Sequence, residues 1–170
     1  MKELLKYSKI IKHLERQGWK RKSILHPETV GAHSWHMAIL ALYLSKDNSK
    51  EYDFDRVIKL CLCHDLAESI IGDITPHDKA YSNKKEVEKN AMKKIKEECD
   101  FDDVYELFIE YEEKITKEAK LANDLDQIDM YIQSLDYENK YKELDLSEFR
   151  KSALNKLQTP LGKKIIDSLK

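Results

Sequence analysis

The run Cys63-His64-Asp65-Leu66-Ala67-Glu68-Ser69-Ile70-Ile71-Gly72-Asp73 concentrates groups that bind metals or move protons. His64 and Asp65 are adjacent, and Glu68 follows them at helical spacing, which returns it to their face of a regular helix. Gly72 offers a helix stop, with Asp73 just beyond it. Ile58, Leu60, Leu62, Leu66, Ile70 and Ile71 predict that this helix is largely buried. Carboxylates and an imidazole buried together are costly unless they are paired or hold a cation. The alternative is a solvent-facing helix edge with ordinary charges. His33 earlier and Asp126 later complete a candidate set of imidazoles and carboxylates: His33, His64, Asp65 and Asp126. Mixed nitrogen and oxygen donors suit one divalent transition metal (Mn, Co, Fe, Ni or Zn).

Helices must position these groups. Leu4, Leu5, Ile10, Ile11 and Leu14 predict a first helix over about 3–17, ended by Gly18. Trp19 follows in a loop with Lys20, Arg21 and Lys22, either to stack a base and hold a phosphate or to pack on the core. Thr29 is a plausible N-cap for a helix over about 30–45, which carries His33 and His36. Asp53 caps a third helix that runs to Ile71 through the opening motif. Asn83 and Glu86 form a capping pair for a highly charged helix over 84–98. Further helices are expected over 102–114 and 117–136, the latter with Asp126 and Asp129 on one face. A polar connection follows over 137–146, and Ser147 and Thr159-Pro160 open two short C-terminal helices.

Composition agrees with an all-α chain: 4 Gly and 3 Pro in 170 residues, with 36% charged. The length suits one domain. A net charge of -2 argues against a nucleic-acid polymer as partner. Cys61, Cys63 and Cys99 read as reduced, buried thiols of a cytoplasmic protein. No signal peptide opens the chain, and no apolar run reaches the roughly 20 residues that span a membrane.

The order His33, His64-Asp65, Asp126 resembles the HD-domain metal-dependent phosphohydrolases. The match extends through Gly18-Trp19, Pro27-Glu28-Thr29-Val30, His33-Ser34, His64-Asp65-Leu66-Ala67-Glu68, Gly72-Asp73-Ile74-Thr75-Pro76 and Leu125-Asp126-Gln127, which look like the 5′-deoxynucleotidase branch of that family. The resemblance implies a compact multi-helix HD-domain bundle over 1–170, a homodimer and a nucleoside monophosphate substrate. It implies the metal ligands His33, His64, Asp65 and Asp126, with Glu68 as acid/base and Asp73 close to substrate. It sets Trp19 against the nucleotide, with Thr75 in the loop opposite. Two positions depart from the pattern. Ala32 stands where relatives often carry an acid, and Gly18 where some carry Arg, so the phosphate contact is expected from Arg16, Arg21 or Lys22.

The implied chemistry is hydrolysis of a phosphate monoester by a metal-activated water, giving a deoxynucleoside and inorganic phosphate. Two alternatives stand beside it: an HD phosphohydrolase acting on another nucleotide phosphoester, and a metal-stabilised helical module without turnover. Glu68 and Asp73 argue against the second, because structure alone needs only the ligands.

Overall fold

The computed structural model describes residues 1–169. Among them the chain is all-α, and its one β-type pairing is an isolated antiparallel bridge between Glu15 and Thr29. The α-helices are α1 (Lys2–His13), α2 (Gln17–Lys20), α3 (Val30–Asn48), α4 (Phe54–Cys63) and α5 (Glu68–Ile71). After a 3-10 turn at Lys79–Asn83 come α6 (Lys84–Cys99), α7 (Asp102–Glu113), α8 (Lys117–Lys140), α9 (Ser147–Lys156) and α10 (Pro160–Ser168).

The longest helix, α8, is the hub: it packs against α3, α4, α7, α9 and α10. Leu121, Leu125 and Ile128 on α8 meet Met37 of α3 and Leu60 of α4 in the main core, all fully buried. Each such side chain contributes about 1.5–3 kcal/mol by leaving water. A second cluster, built on Tyr7, Met92, Ile95 and Phe108, joins α1, α6 and α7. A third gathers Trp19, Ile24, Tyr137 and Leu146. Side-chain caps start these helices: Thr29 for α3, Asp53 for α4 and Thr159 for α10, as expected, and Thr116 for α8.

Several boundaries differ from the sequence reading. The first helix ends at His13, because Leu14–Arg16 turn extended and bond to Glu28 and Val30 across the Glu15–Thr29 bridge. Trp19 therefore lies in α2, not in a loop, and Gly18 sits inside that short helix. The third predicted helix is broken in two. After Cys63 the backbone bonds tighten from four-residue to three-residue spacing: Leu66 N–H to Cys63 O, Glu68 N–H to Asp65 O, and Ser69 N–H to Leu66 O. At three residues per turn Asp65 and Glu68 are brought into line. Gly72, at φ 76°, ends α5 as expected. The proposed Asn83 cap is not made. Finally, α8 runs on through residue 140, since Tyr137 buries its ring in the third cluster instead of joining a polar connection.

A buried side chain on α8 clasps the loop between α9 and α10. Asp124, fully buried on α8, accepts hydrogen bonds from Gln158 N (2.8 Å), Thr159 N (2.8 Å) and Thr159 Oγ1 (2.7 Å). Gly162 fits there because it has no side chain: a Cβ would lie 2.3 Å from Asp124 Oδ2.

Candidate metal centre and nucleotide cavity

His33 comes from the first turn of α3, His64 from the C-cap of α4, and Asp126 from the middle of α8. Their donor atoms all lie within 4.8 Å of one another. His33 Nε2 is 3.3 Å from Asp126 Oδ1. Both histidines are buried, and the Nε2 atom of each has no hydrogen-bond partner. Their other nitrogens are engaged: His33 Nδ1 lies 2.5 Å from Asp129 Oδ2, and His64 Nδ1 donates to Cys61 O at 2.9 Å. Each ring is thus held with Nε2 facing the shared centre, the arrangement by which outer partners orient ligating imidazoles. Two buried imidazole nitrogens that face carboxylates without a formed hydrogen bond fit a divalent cation.

Asp65 adjoins this group, its Oδ2 3.0 Å from His64 Nε2, but does not belong to the set of mutually close atoms. The charges answer one another. Burial pushes the Asp126 carboxyl up, but His33 and His64 pull it well below the usual carboxylate range. Burial also raises Asp65, and the neighbouring His64 more than reverses it. For His33, burial and Arg16 favour the neutral ring, yet Asp126 and Asp129 raise it to about 9. A bound cation would take the place of that proton.

Glu68 is buried at the start of α5, with Oε2 unpartnered and Lys84 Nζ 3.9 Å from Oε1. Burial, then the negative charges of Asp65 and Asp73, raise its carboxyl well above the ordinary value. That is the environment of a group that holds a proton near neutral pH.

Beside this centre opens a cavity of about 430 Å³, within the range of small-ligand sites. Arg16, Trp19, Asp73, Thr75, Asp126 and Phe149 are among its walls. Every sequence-predicted substrate residue lines it, but their engagements differ. Asp73 accepts from Gln17 N at 2.6 Å and so caps α2. Thr75 donates from N and Oγ1 to Asp78 Oδ2, and Asp78 also pairs with Arg21. Lys22 pairs with Glu148 at 2.6 Å. Arg16 alone of the three basic candidates presents a buried nitrogen, Nη1, without a hydrogen-bond partner. Glu28 stands 3.8 Å from it, and Arg16 stays charged: burial opposes the charge, but Glu28, Asp126, Asp65 and Asp73 outweigh it.

Trp19 is 1% exposed. It donates from Nε1 to Glu28 Oε1 at 2.9 Å and packs on Phe149 (centroids 4.4 Å apart) and Tyr137 (5.3 Å). It is a core residue with one edge on the cavity.

The sequence reading assigned no task to several residues gathered here. Asp129 holds His33 and His36 together. Tyr111 donates to Asp126 Oδ2 at 3.3 Å, and Gln127 Nε2 donates to the same oxygen at 2.9 Å. Asp129 left a trace in sequence, three residues after Asp126 on the same helix face, and Gln127 stood in the motif Leu125-Asp126-Gln127.

An all-α bundle in which two histidines and an aspartate converge from three helices has the architecture of a metal-binding helical protein. A family model described as HD domain matches residues 9–164, and the chain belongs to that HD-domain family of metal-dependent phosphohydrolases. It is 35% identical to a 5′-deoxynucleotidase HDDC2 of Dictyostelium discoideum, over 97% of this chain and 95% of that protein. To the human 5′-deoxynucleotidase HDDC2 it is 34% identical, over 94% of this chain and 80% of the relative. Among solved structures, a conserved hypothetical protein from Pyrococcus furiosus superposes with a TM-score of 0.85 at 32% identity, covering 98% of this chain and 96% of the other.

Proposed function

We propose that this chain removes the 5′-phosphate from deoxynucleoside monophosphates, releasing deoxynucleoside and inorganic phosphate, with residues 1–170 acting as one HD-type domain. The observation that carries the reading is the pair of unpartnered Nε2 atoms, His33 and His64, beside Asp126 on the wall of a nucleotide-sized cavity. The relatives named 5′-deoxynucleotidase support the substrate class.

His33, His64 and Asp126, with Asp65 adjoining, would hold one divalent ion among Mn, Co, Fe, Ni and Zn. Such an ion supplies Lewis acidity and a nucleophilic water at neutral pH. The chain's own residues do the rest. Glu68, buried beside the centre with its carboxyl raised, would hold or pass the proton exchanged between that water and the leaving oxygen. The free Arg16 Nη1 donates to a phosphate oxygen and stabilises the charge that develops there. Asp73 holds the α2 backbone against the cavity. Thr75, Arg21 and Lys22, each tied to an acid or a loop neighbour, frame the mouth. Trp19 and Phe149 form the apolar wall for the nucleoside.

The protein acts in the cytoplasm as a homodimer in this reading. Trp35, Ile39, Leu42 and Tyr43 form an exposed apolar stripe on α3 that suits a second copy. No helix among the described residues is long and apolar enough to cross a membrane.

The test is phosphate release from matched deoxy- and ribonucleoside monophosphates, with Mn, Co, Zn or Mg restored to stripped protein. Deoxynucleotides should be cleaved faster in the presence of metal. Release from neither class with any of these ions would end the reading.

A further inference from the structure

Glu28 does not line the nucleoside cavity, yet it holds two residues that do. Its Oε1 accepts from Trp19 Nε1 at 2.9 Å, and Arg16 Nη1 stands 3.8 Å from the same oxygen. The backbone around this carboxylate is fixed from two sides. Glu28 O accepts from Arg16 N at 3.0 Å beside the Glu15–Thr29 bridge, and Glu28 N donates to the Tyr137 hydroxyl at 2.7 Å. With its side chain 11% exposed, the carboxylate has little room to swing.

The distance to Arg16 matters. A buried guanidinium needs a counter-charge. A tight pair would supply one and also occupy the donor. The observed spacing lies beyond a hydrogen bond and leaves Nη1 open. Asp126, Asp65 and Asp73 also attract Arg16, each less strongly than Glu28 does, and Asp126 and Asp73 line the cavity. Without Glu28 the guanidinium would be drawn onto those carboxylates. Its donor would be spent on them, and it would compete with a cation at Asp126.

A cation site at Glu28 is the other reading, and it fails. Glu28, His33 and Asp129 offer donor atoms within 4.8 Å of one another. Asp129 is already committed to His33 and His36, and the Arg16 charge beside Glu28 repels a cation.

We propose that Glu28 is a positioning residue of the nucleotide cavity: one carboxylate oxygen keeps the Arg16 donor free for an oxyanion, anchors the Trp19 edge, and thereby couples the phosphate contact to the nucleoside wall. The identity of the ligand rests on the nucleotidase reading; the coupling of Arg16 to Trp19 does not.

The test is a double-mutant cycle on the zinc-loaded protein, titrated calorimetrically with inorganic phosphate: wild type, Glu28→Gln, Arg16→Gln and the pair. Glu28→Gln keeps the size of the side chain and an acceptor for Trp19 while removing the charge. Phosphate affinity should fall about tenfold in Glu28→Gln, the worth of one charge-assisted contact, and by less than about twofold when the same change is made in Arg16→Gln. An equal loss in both backgrounds, or wild-type affinity in Glu28→Gln, overturns the proposal. A second readout leaves Glu28 in place. The chain has two tryptophans, and Trp35 is 61% exposed, so Trp35→Phe isolates the emission of Trp19. Phosphate should shift that emission, because drawing Arg16 from Glu28 changes the charge beside the indole. Phosphate that binds and leaves Trp19 emission unchanged also overturns the coupling. A protein that shows both effects and cleaves no nucleotide would sink the nucleotidase reading and leave the role of Glu28 standing.

Discussion

Asp129 lies 2.5 Å from Nδ1 of His33 through one carboxylate oxygen, while its other oxygen pairs with His36. The contact fixes which nitrogen of His33 faces Asp126. Burial favours the protonated acid, but the two imidazoles hold the Asp129 carboxyl down at about 2, so it is an anion under any working condition. Asp129→Asn should weaken metal binding roughly 10- to 100-fold, the usual effect of removing an orienting partner. Chelator competition on the purified variant would show it. Unchanged affinity would mean that His33 needs no second anchor.

Glu68→Gln keeps the shape of the buried side chain and removes its proton chemistry. Metal content should be retained while kcat falls by about 10²–10⁴-fold. Metal analysis and steady-state rates on one preparation decide the point. A fall of less than about threefold would assign the proton to another group.

Trp19→Ala should act first on the fold. The ring is 1% exposed between Phe149 and Tyr137, and its removal should cost about 3–5 kcal/mol. Trp19→Phe keeps most of the packing and loses only the Nε1–Glu28 hydrogen bond. Denaturant melts of both variants, with KM for a deoxynucleotide measured on Trp19→Phe, separate wall from core. A Trp19→Ala protein as stable as wild type would contradict the packing described above.

Glu88 makes a pH-dependent prediction. Burial raises its carboxyl to about 6 from an ordinary 4.5, despite Lys84. The folded state therefore binds this proton more tightly than the unfolded chain, and wild-type stability falls as pH rises from about 4.5 to 6. The total is at most about 2 kcal/mol, less whatever solvent near Lys84 screens. Glu88→Gln should flatten that stretch of the stability profile and match or exceed wild type at pH 7. Urea melts across pH 4–7 would reveal it, and a variant less stable than wild type at neutral pH would reverse the assignment.

Gly162→Ala places a methyl group 2.3 Å from Asp124 Oδ2. The expected loss is about 1–3 kcal/mol, with the last two helices loosening first. Hydrogen exchange localised to α9 and α10 is the direct readout. Uniform exchange across the chain would show that this clasp is not local.

What the sequence discloses and what it hides follow physical lines. Leu121, Leu125 and Ile128 repeat at helical spacing, so α8 was legible, and the pairing of His64-Asp65 with His33 and Asp126 was legible as donor chemistry. The break after Cys63 was not. Leu66 and Ile70 continue an apolar pattern that suits a regular helix, and nothing in that local pattern marks the tightened turn. The end of α1 was hidden for a similar reason, since Leu14–Arg16 leave the helix to pair with a loop distant in sequence. Arg16 stood out from Arg21 and Lys22 only once their acidic partners were in place.

The clasp at Asp124 has a consequence for how such a protein diversifies. Glu148, Phe149, Ser152 and Lys156 of α9 line the cavity, while His33, His64 and Glu68 belong to α3, the end of α4 and α5. In the proposed reading α9 supplies part of the wall that meets the nucleoside, beside Trp19 of α2, while the groups that handle the phosphate come from α3, α4, α5 and α8. Drift in α9 can retune which base is accepted without touching the hydrolytic residues, so long as Asp124, Thr159 and Gly162 keep the cassette in its socket.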